Sequence, residues 1–124
     1  MGKSVAVLGA SEKSDRTANQ AQKRLMDAGY PVYPVSPDGK AILGVNGYQR
    51  LTDIPEPVDT VTLYVGPERL EKVIDDVIAL KPRRVIFNPG TESVKHMETL
   101  QKEGIHTVEA CTLVLLSTRQ FDKV

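Results

Sequence analysis

Short apolar, β-branched runs alternate along this chain with segments whose apolar residues recur every three or four positions. The first run, Val5-Ala6-Val7-Leu8, is continuously apolar, as a parallel strand covered on both faces requires. Ala18, Ala21, Leu25 and Ala28 then share one helical stripe, which Gly29 is placed to stop. The second run is Val32-Tyr33-Pro34-Val35. Proline cannot donate to a sheet ladder, so this strand lies near an edge or ends there. From Lys40 to Pro57 the pattern is irregular, with a short edge strand expected at Ala41 to Leu43 and a turn of helix at Tyr48 to Leu51. Thr60 to Val65 reads as the next strand. Gly66-Pro67-Glu68 opens a helix, proline suiting its first turn and glutamate its dipole. Leu70, Val73, Ile74, Val77 and Ile78 form the inner face of that helix. Arg84 to Phe87 follows as a strand. A helix from about Ser93 to Glu103 is expected to turn Val94, Met97 and Leu100 inward and to stop at Gly104. His106 to Glu109 is the last strand, and Cys111 to about Gln120 a terminal helix.

Strand–helix alternation of this kind demands right-handed crossovers. It predicts an α/β fold: one Rossmann-like domain over residues 1–124, with a parallel sheet of about five strands and helices on both faces. Ligands of such sheets lie beyond the carboxyl ends of the strands, where the strand order reverses. Four loops are thereby selected: Gly9 to Arg16, Ser36 to Lys40, Val65 to Pro67 and Asn88 to Thr91.

Composition narrows the classes further. The chain has 124 residues, 40% hydrophobic and 26% charged, which is globular composition at the size of one domain. Sixteen basic residues balance sixteen acidic ones and the pI is near 6.7, so no electrostatic footprint for nucleic acid or anionic membrane is present. Cys111 is the only cysteine, which excludes an intrachain disulfide and a thiolate-rich metal site. The apolar run Val5 to Leu8 is too short for a signal sequence and no stretch of membrane-spanning length follows, so a cytosolic protein is expected.

The first loop carries the strongest chemical signal. Gly9-Ala10-Ser11 directly after a buried strand, with a helix beginning soon after, builds a phosphate-binding turn from backbone N–H groups and a helix dipole. The dinucleotide fingerprint G-x-G-x-x-G is absent, since serines stand at positions 11 and 14. Their hydroxyls can bind phosphate, and Lys13 or Arg16 can add charge. An ordinary strand-to-helix turn is the plain alternative. At the tip of the second strand, Val35-Ser36-Pro37 lacks the carboxylate that usually holds the ribose of NAD. Asp38 has a sufficient role as a turn former, and Lys40 favours an additional phosphate. Catalytic signals are weak. His96 and His106 show no metal-ligand spacing and read as solvated or structural. Asp75, Asp76, Glu98 and Glu103 belong to wet helix faces, and Cys111 reads as a small buried apolar residue. No serine occupies a nucleophile elbow.

Several segments together resemble the stand-alone form of the CoA-binding domain family, a domain also found at the N-terminus of the succinyl-CoA synthetase α subunit and in ADP-forming acyl-CoA synthetases. They are VAVLGAS (Val5 to Ser11), SDR (Ser14 to Arg16), LMDAGYPVYPVSP (Leu25 to Pro37) and LGVNGYQRLTDIPEPVD (Leu43 to Asp59). By that resemblance Gly9, Ala10, Ser11 and Arg16 would hold the diphosphate of coenzyme A, and Ser36, Pro37 and Lys40 would border its 3′-phosphate. Val65, Gly66 and Pro67 would pack near the adenine or its linker, and Asn88, Pro89, Gly90 and Thr91 would close the far side. The chain departs from the family pattern at Asn88-Pro89-Gly90, where many members carry glutamine before the glycine, and at Glu109-Ala110 ahead of Cys111. Multidomain relatives catalyse through a phosphorylated histidine on another domain, which neither His96 nor His106 matches. The resemblance therefore implies binding of coenzyme A or an acyl-CoA without catalysis. An NAD(P)-binding oxidoreductase-like domain and an interaction domain without ligand are the competing readings, and a homodimer or a protein partner is left open.

Overall fold

The computed structural model of the protein describes residues 3–124. Its strands are β1 (Val5–Leu8), β2 (Val32–Val35), β3 (Thr60–Leu63), β4 (Arg84–Phe87) and β5 (His106–Glu109). Between and after them run α1 (Thr17–Asp27), α2 (Pro67–Leu80), α3 (Val94–Lys102) and α4 (Thr112–Ser117), with 3₁₀ turns at Leu51–Asp53 and Phe121–Lys123.

Alternation along the strands decides which helices attach to which face. Val5, Val7 and Ile86 point to one side, where Ala18 and Leu25 of α1, Leu115 of α4 and Phe121 cover them. Ala6, Leu8, Val61, Leu63, Val85 and Phe87 point to the other, against Leu70, Ile74 and Val77 of α2 and Leu100 of α3. The sheet order is β2-β1-β3-β4-β5 with every pair parallel. β1, β3 and β4 are buried along their whole length, whereas the edge strand β5 is exposed at His106 and Glu109. Pro34 lies in the outermost strand, as its missing donor requires. The Tyr48 main chain covers that edge, donating to Pro34 O and accepting from Ser36 N, both at 3.0 Å.

Several sequence expectations need correction. Ala41 to Leu43 forms no strand: only an isolated antiparallel bridge joins Ile42 to Val45, because Leu43 and Gly44 take left-handed φ values of 53° and 78° in a tight turn. The turn of helix begins at Leu51 instead of ending there, so that Leu51 fills the core. β3 stops at Leu63, leaving Tyr64 and Val65 in the loop. Ala28 is the exposed C-cap of α1. In α3 the inner face is rotated: Val94 is 70% exposed while His96 is only 4% exposed. That rotation is possible because the imidazole finds polar partners on both sides, as described below.

Ion pairs and hydrogen bonds close the amino end of the sheet. Arg84 is fully buried, with Nε donating to Thr60 Oγ1 (2.8 Å), Nη1 donating to Val124 O (2.6 Å) and Phe121 stacked on its guanidinium at 4.3 Å. Arg83 forks onto Asp59 at 3.0 and 3.2 Å. Among the described residues, no helix is long and apolar enough to cross a membrane.

Candidate functional site

The strand order reverses between β1 and β3, so the crevice of this fold opens beyond the carboxyl ends of those two strands. Gly9 has φ +94°, and a Cβ there would stand 2.7 Å from Tyr64 O and 2.9 Å from Val65 Cγ1. The glycine is therefore demanded by the neighbouring main chain, which passes too close for any side chain.

Three recesses follow the carboxyl edge of the sheet. The first, of about 230 Å³, is lined by Ala10, Ser11, Glu12, Lys13, Ser36, Pro37, Asp38, Lys40 and Ile42. The second, of about 190 Å³, sits at the reversal point between Gly9, Ser11, Arg16, Thr17, Ala18 and Tyr64. The third, of about 310 Å³, is bounded by Thr17, Tyr64, Val65, Gly66, Asn88, Pro89, Gly90, Thr91 and Cys111. Ser11 is shared by the first two, and Thr17 and Tyr64 by the last two, so the recesses form one furrow. The four loops selected from sequence thus converge. Pro67 is the exception: it is the exposed first residue of α2 and lines none of the three.

Anion-binding capacity concentrates at the first two recesses. Arg16 is the N-cap of α1, and no side chain caps that helix, so its first N–H groups are left for solvent or ligand; Gly66, the equally uncapped start of α2, lines the third recess instead. Asn19 Nδ2 donates to Ser11 O (2.9 Å) and Lys13 N to Ser11 Oγ (3.1 Å), fixing the loop with Lys13 and Arg16 exposed around it. Lys40 lies 3.7 Å from Glu12, but both side chains are about 60% exposed and the pair contributes little. Asp38 Oδ1 accepts from Lys40 N (3.1 Å) and Ser36 Oγ (2.9 Å), and these two hydrogen bonds, the backbone one foremost, hold its carboxyl below the ordinary value. The carboxylate at the tip of β2 is thus engaged in its own turn, and Ser36 would have to leave it to serve a phosphate.

The third recess is built differently. Asn88 is 2% exposed; its Nδ2 donates to Thr62 Oγ1 (2.7 Å) and Leu63 O (2.8 Å), and its Oδ1 accepts from Thr112 N (2.8 Å). Thr91 Oγ1 donates to Asn88 O (2.8 Å). These side chains hold the loop in shape, and their polar atoms are committed to it. Burial pushes the Tyr64 phenol up to about 12; the nearby Thr112 and Thr62 hydroxyls oppose that shift, yet no partner reaches its enclosed oxygen at hydrogen-bond geometry. Cys111, expected to be buried packing, is half-buried at the N-cap of α4 and lines the recess. Sequence reading missed Tyr64 and Thr17 as wall residues: an aromatic at a strand end reads as core, and a threonine opening a helix reads as a cap.

His96, in the first turn of α3, follows shortly after the 88–91 loop in the chain and lines none of the recesses. Its Nδ1 is 2.8 Å from Ser93 Oγ and its Nε2 2.8 Å from Glu71 Oε1. The order hydroxyl–imidazole–carboxylate is that of a nucleophilic triad. Ser93 Oγ, however, accepts the His96 N–H as the cap of α3 and lines none of the three recesses, so it has no access to a ligand there.

An all-parallel sheet of this order, with a furrow at its reversal point, defines a Rossmann-like α/β domain. The profile of the CoA binding domain family matches residues 3–117, and the chain belongs to that family. It is similar to the uncharacterized protein YneT of Bacillus subtilis, 36% identical over 102 residues that cover 82% of this chain and 76% of YneT. A crystal structure of another uncharacterized protein superposes with TM-score 0.91 at 40% identity, covering 98% of this chain and 99% of that one. The ADP-forming acetate–CoA ligase I of Archaeoglobus fulgidus is 34% identical over 74 residues, 60% of this chain but only 11% of the ligase. This chain therefore spans a small part of the ligases it matches.

Proposed function

We propose that this chain binds coenzyme A or an acyl-CoA along the furrow and performs no chemistry on it. The observation that carries the reading is the furrow's polarity: the uncapped start of α1 with Lys13, Arg16 and Lys40 at one end, a recess of Val65, Pro89 and Cys111 at the other. A ligand with a phosphorylated nucleotide head and a long thiol-ended tail suits that sequence of surfaces. In this reading Gly9, Ala10, Ser11 and Arg16 hold the diphosphate, and Ser36, Pro37 and Lys40 border the 3′-phosphate. Val65 and Gly66 pack beside the linker with Pro67 at their rim, and Asn88, Pro89, Gly90 and Thr91 close the tail end. The family match and the ligase relatives, which are named for acting on CoA, support the choice of ligand.

Calorimetric titration with CoA, dephospho-CoA and NAD tests it. Dephospho-CoA should bind more weakly than CoA by about 1–2 kcal/mol, the scale of one exposed charge-assisted contact. The gap should narrow in high salt and in Lys40→Ala. Tighter binding of NAD than of either CoA species would overturn the proposal.

A further inference from the structure

We infer that His96 is a positioning residue for the tail end of the furrow, fixing the spacing of the two loops, 65–66 and 88–91, that wall the third recess. The inference rests on the ligand reading above. α2 begins directly after Gly66, and α3 begins shortly after Thr91, so each loop runs into the first turn of a helix. Glu71 lies in the second turn of α2 and His96 in the first turn of α3. Their contact at 2.8 Å ties the two helix starts together, while Ser93 Oγ, 2.8 Å from Nδ1, fixes the other edge of the ring.

The proton placement follows from the partners. Hydrogen bonding from His96 foremost, then from Lys95, holds the Glu71 carboxyl below its ordinary value, so it is ionised and can only accept. Nε2 must then carry the hydrogen, and in the neutral ring Nδ1 accepts from the Ser93 hydroxyl. The imidazole side chain is 6% exposed and has no freedom to turn, whereas the Lys95–Glu71 pair at 3.2 Å joins side chains that are 75% and 55% exposed. Asn88 fixes the root of the loop to β3 and α4, and Thr91 Oγ1 ties its far end back to Asn88 O; the loop holds its own shape with Pro89 and Gly90 exposed at the tip, and runs on into α3. His96 touches no ligand in this arrangement and acts through the walls.

The test compares CoA with adenosine 3′,5′-bisphosphate, which carries the nucleotide head without the tail, in wild type, His96→Asn, His96→Gln and Glu71→Ala. A glutamine amide nitrogen reaches the place of Nε2 and still donates to Glu71; an asparagine reaches only the place of Nδ1. His96→Asn and Glu71→Ala should weaken CoA by about fivefold or more, the scale of one lost hydrogen bond, and leave the bisphosphate within about twofold. His96→Gln should restore CoA binding. Thermal melts establish which variants fold, and the exposed Glu71→Ala substitution carries the test if His96→Asn does not. Equal loss for both ligands, or none for either, in folded protein overturns the positioning role. A wild-type chain that binds the bisphosphate but gains nothing from the tail overturns it too. Failure of wild type to bind either ligand overturns the ligand reading itself, and the positioning role with it.

Discussion

Gly9 shows how a residue chosen by its neighbours comes to look like a ligand motif. A glycine after a buried strand is legible as a phosphate turn, yet its φ of +94° and the lack of room for a Cβ, which would stand 2.7 Å from Tyr64 O, are consequences of β1 and β3 leaving the sheet side by side. Gly9→Ala should therefore destabilise the fold itself, by about 1–3 kcal/mol in chemical denaturation, from the strained conformation together with the clash. An unchanged denaturation midpoint would mean that the main chain can part there at no cost. Arg16, Lys40 and the serines were legible as candidates because charge and hydroxyls beside such a turn suit a phosphate, but the hydrogen bonds of Ser11 and Ser36 within their own turns were not legible. His96 was not. Periodicity counts apolar positions, and a histidine that Ser93 and Glu71 satisfy behaves as a core residue without being apolar.

At the scale of elements, the regular strands and helices were readable because four-residue apolar runs and helical stripes are local signals. The segment from Lys40 to Pro57 was not, since its shape is set by long-range pairing: Tyr48 bonds along the β2 edge, and Gln22 Nε2 of α1 donates to Ile42 O at 3.0 Å. The same kind of long-range tie governs the far wall of the furrow, where one side chain, Asn88, joins β3, β4 and the start of α4. Asn88→Ala would leave Thr112 N and Leu63 O buried without a partner, at about 1–3 kcal/mol for each unsatisfied group. Asn88→Asp keeps the acceptor for Thr112 N but loses both donated bonds and buries a charge, so it should cost more than alanine. Urea denaturation of the two variants measures the order, and an aspartate variant as stable as wild type would show that the network tolerates reversal.

Across the whole molecule the two ends of the sheet do different work. The carboxyl end is open and built of loops, whereas the amino end is closed by Arg84, Thr60, Asp59 and Arg83. The sequence disclosed the parallel sheet, because alternation and handedness fix it, and with the sheet the end at which the four loops gather. It did not disclose that Arg84 is buried, since an arginine at a strand start ordinarily faces water. The closed end should set the acid limit of stability. Burial by itself would raise the Asp59 carboxyl, but hydrogen bonds from Arg83 and Thr60 and the Arg83 charge outweigh it and hold the carboxyl below its ordinary value. A carboxyl depressed in the folded state stabilises fully above its unfolded value and loses that contribution as pH falls through the folded value. Asp59→Asn should then be less stable than wild type near neutral pH, by about 1 kcal/mol for a partly exposed pair. The two proteins should converge in acid, once wild-type Asp59 is protonated. Because this pair lies at the end of the sheet away from the furrow, CoA affinity at neutral pH should be the same in both. Thermal melts across pH 2 to 7, roughly the span over which carboxylates titrate, would show the convergence. A stability gap that stays constant through the acid range would mean that Asp59 contributes through packing and not through its charge.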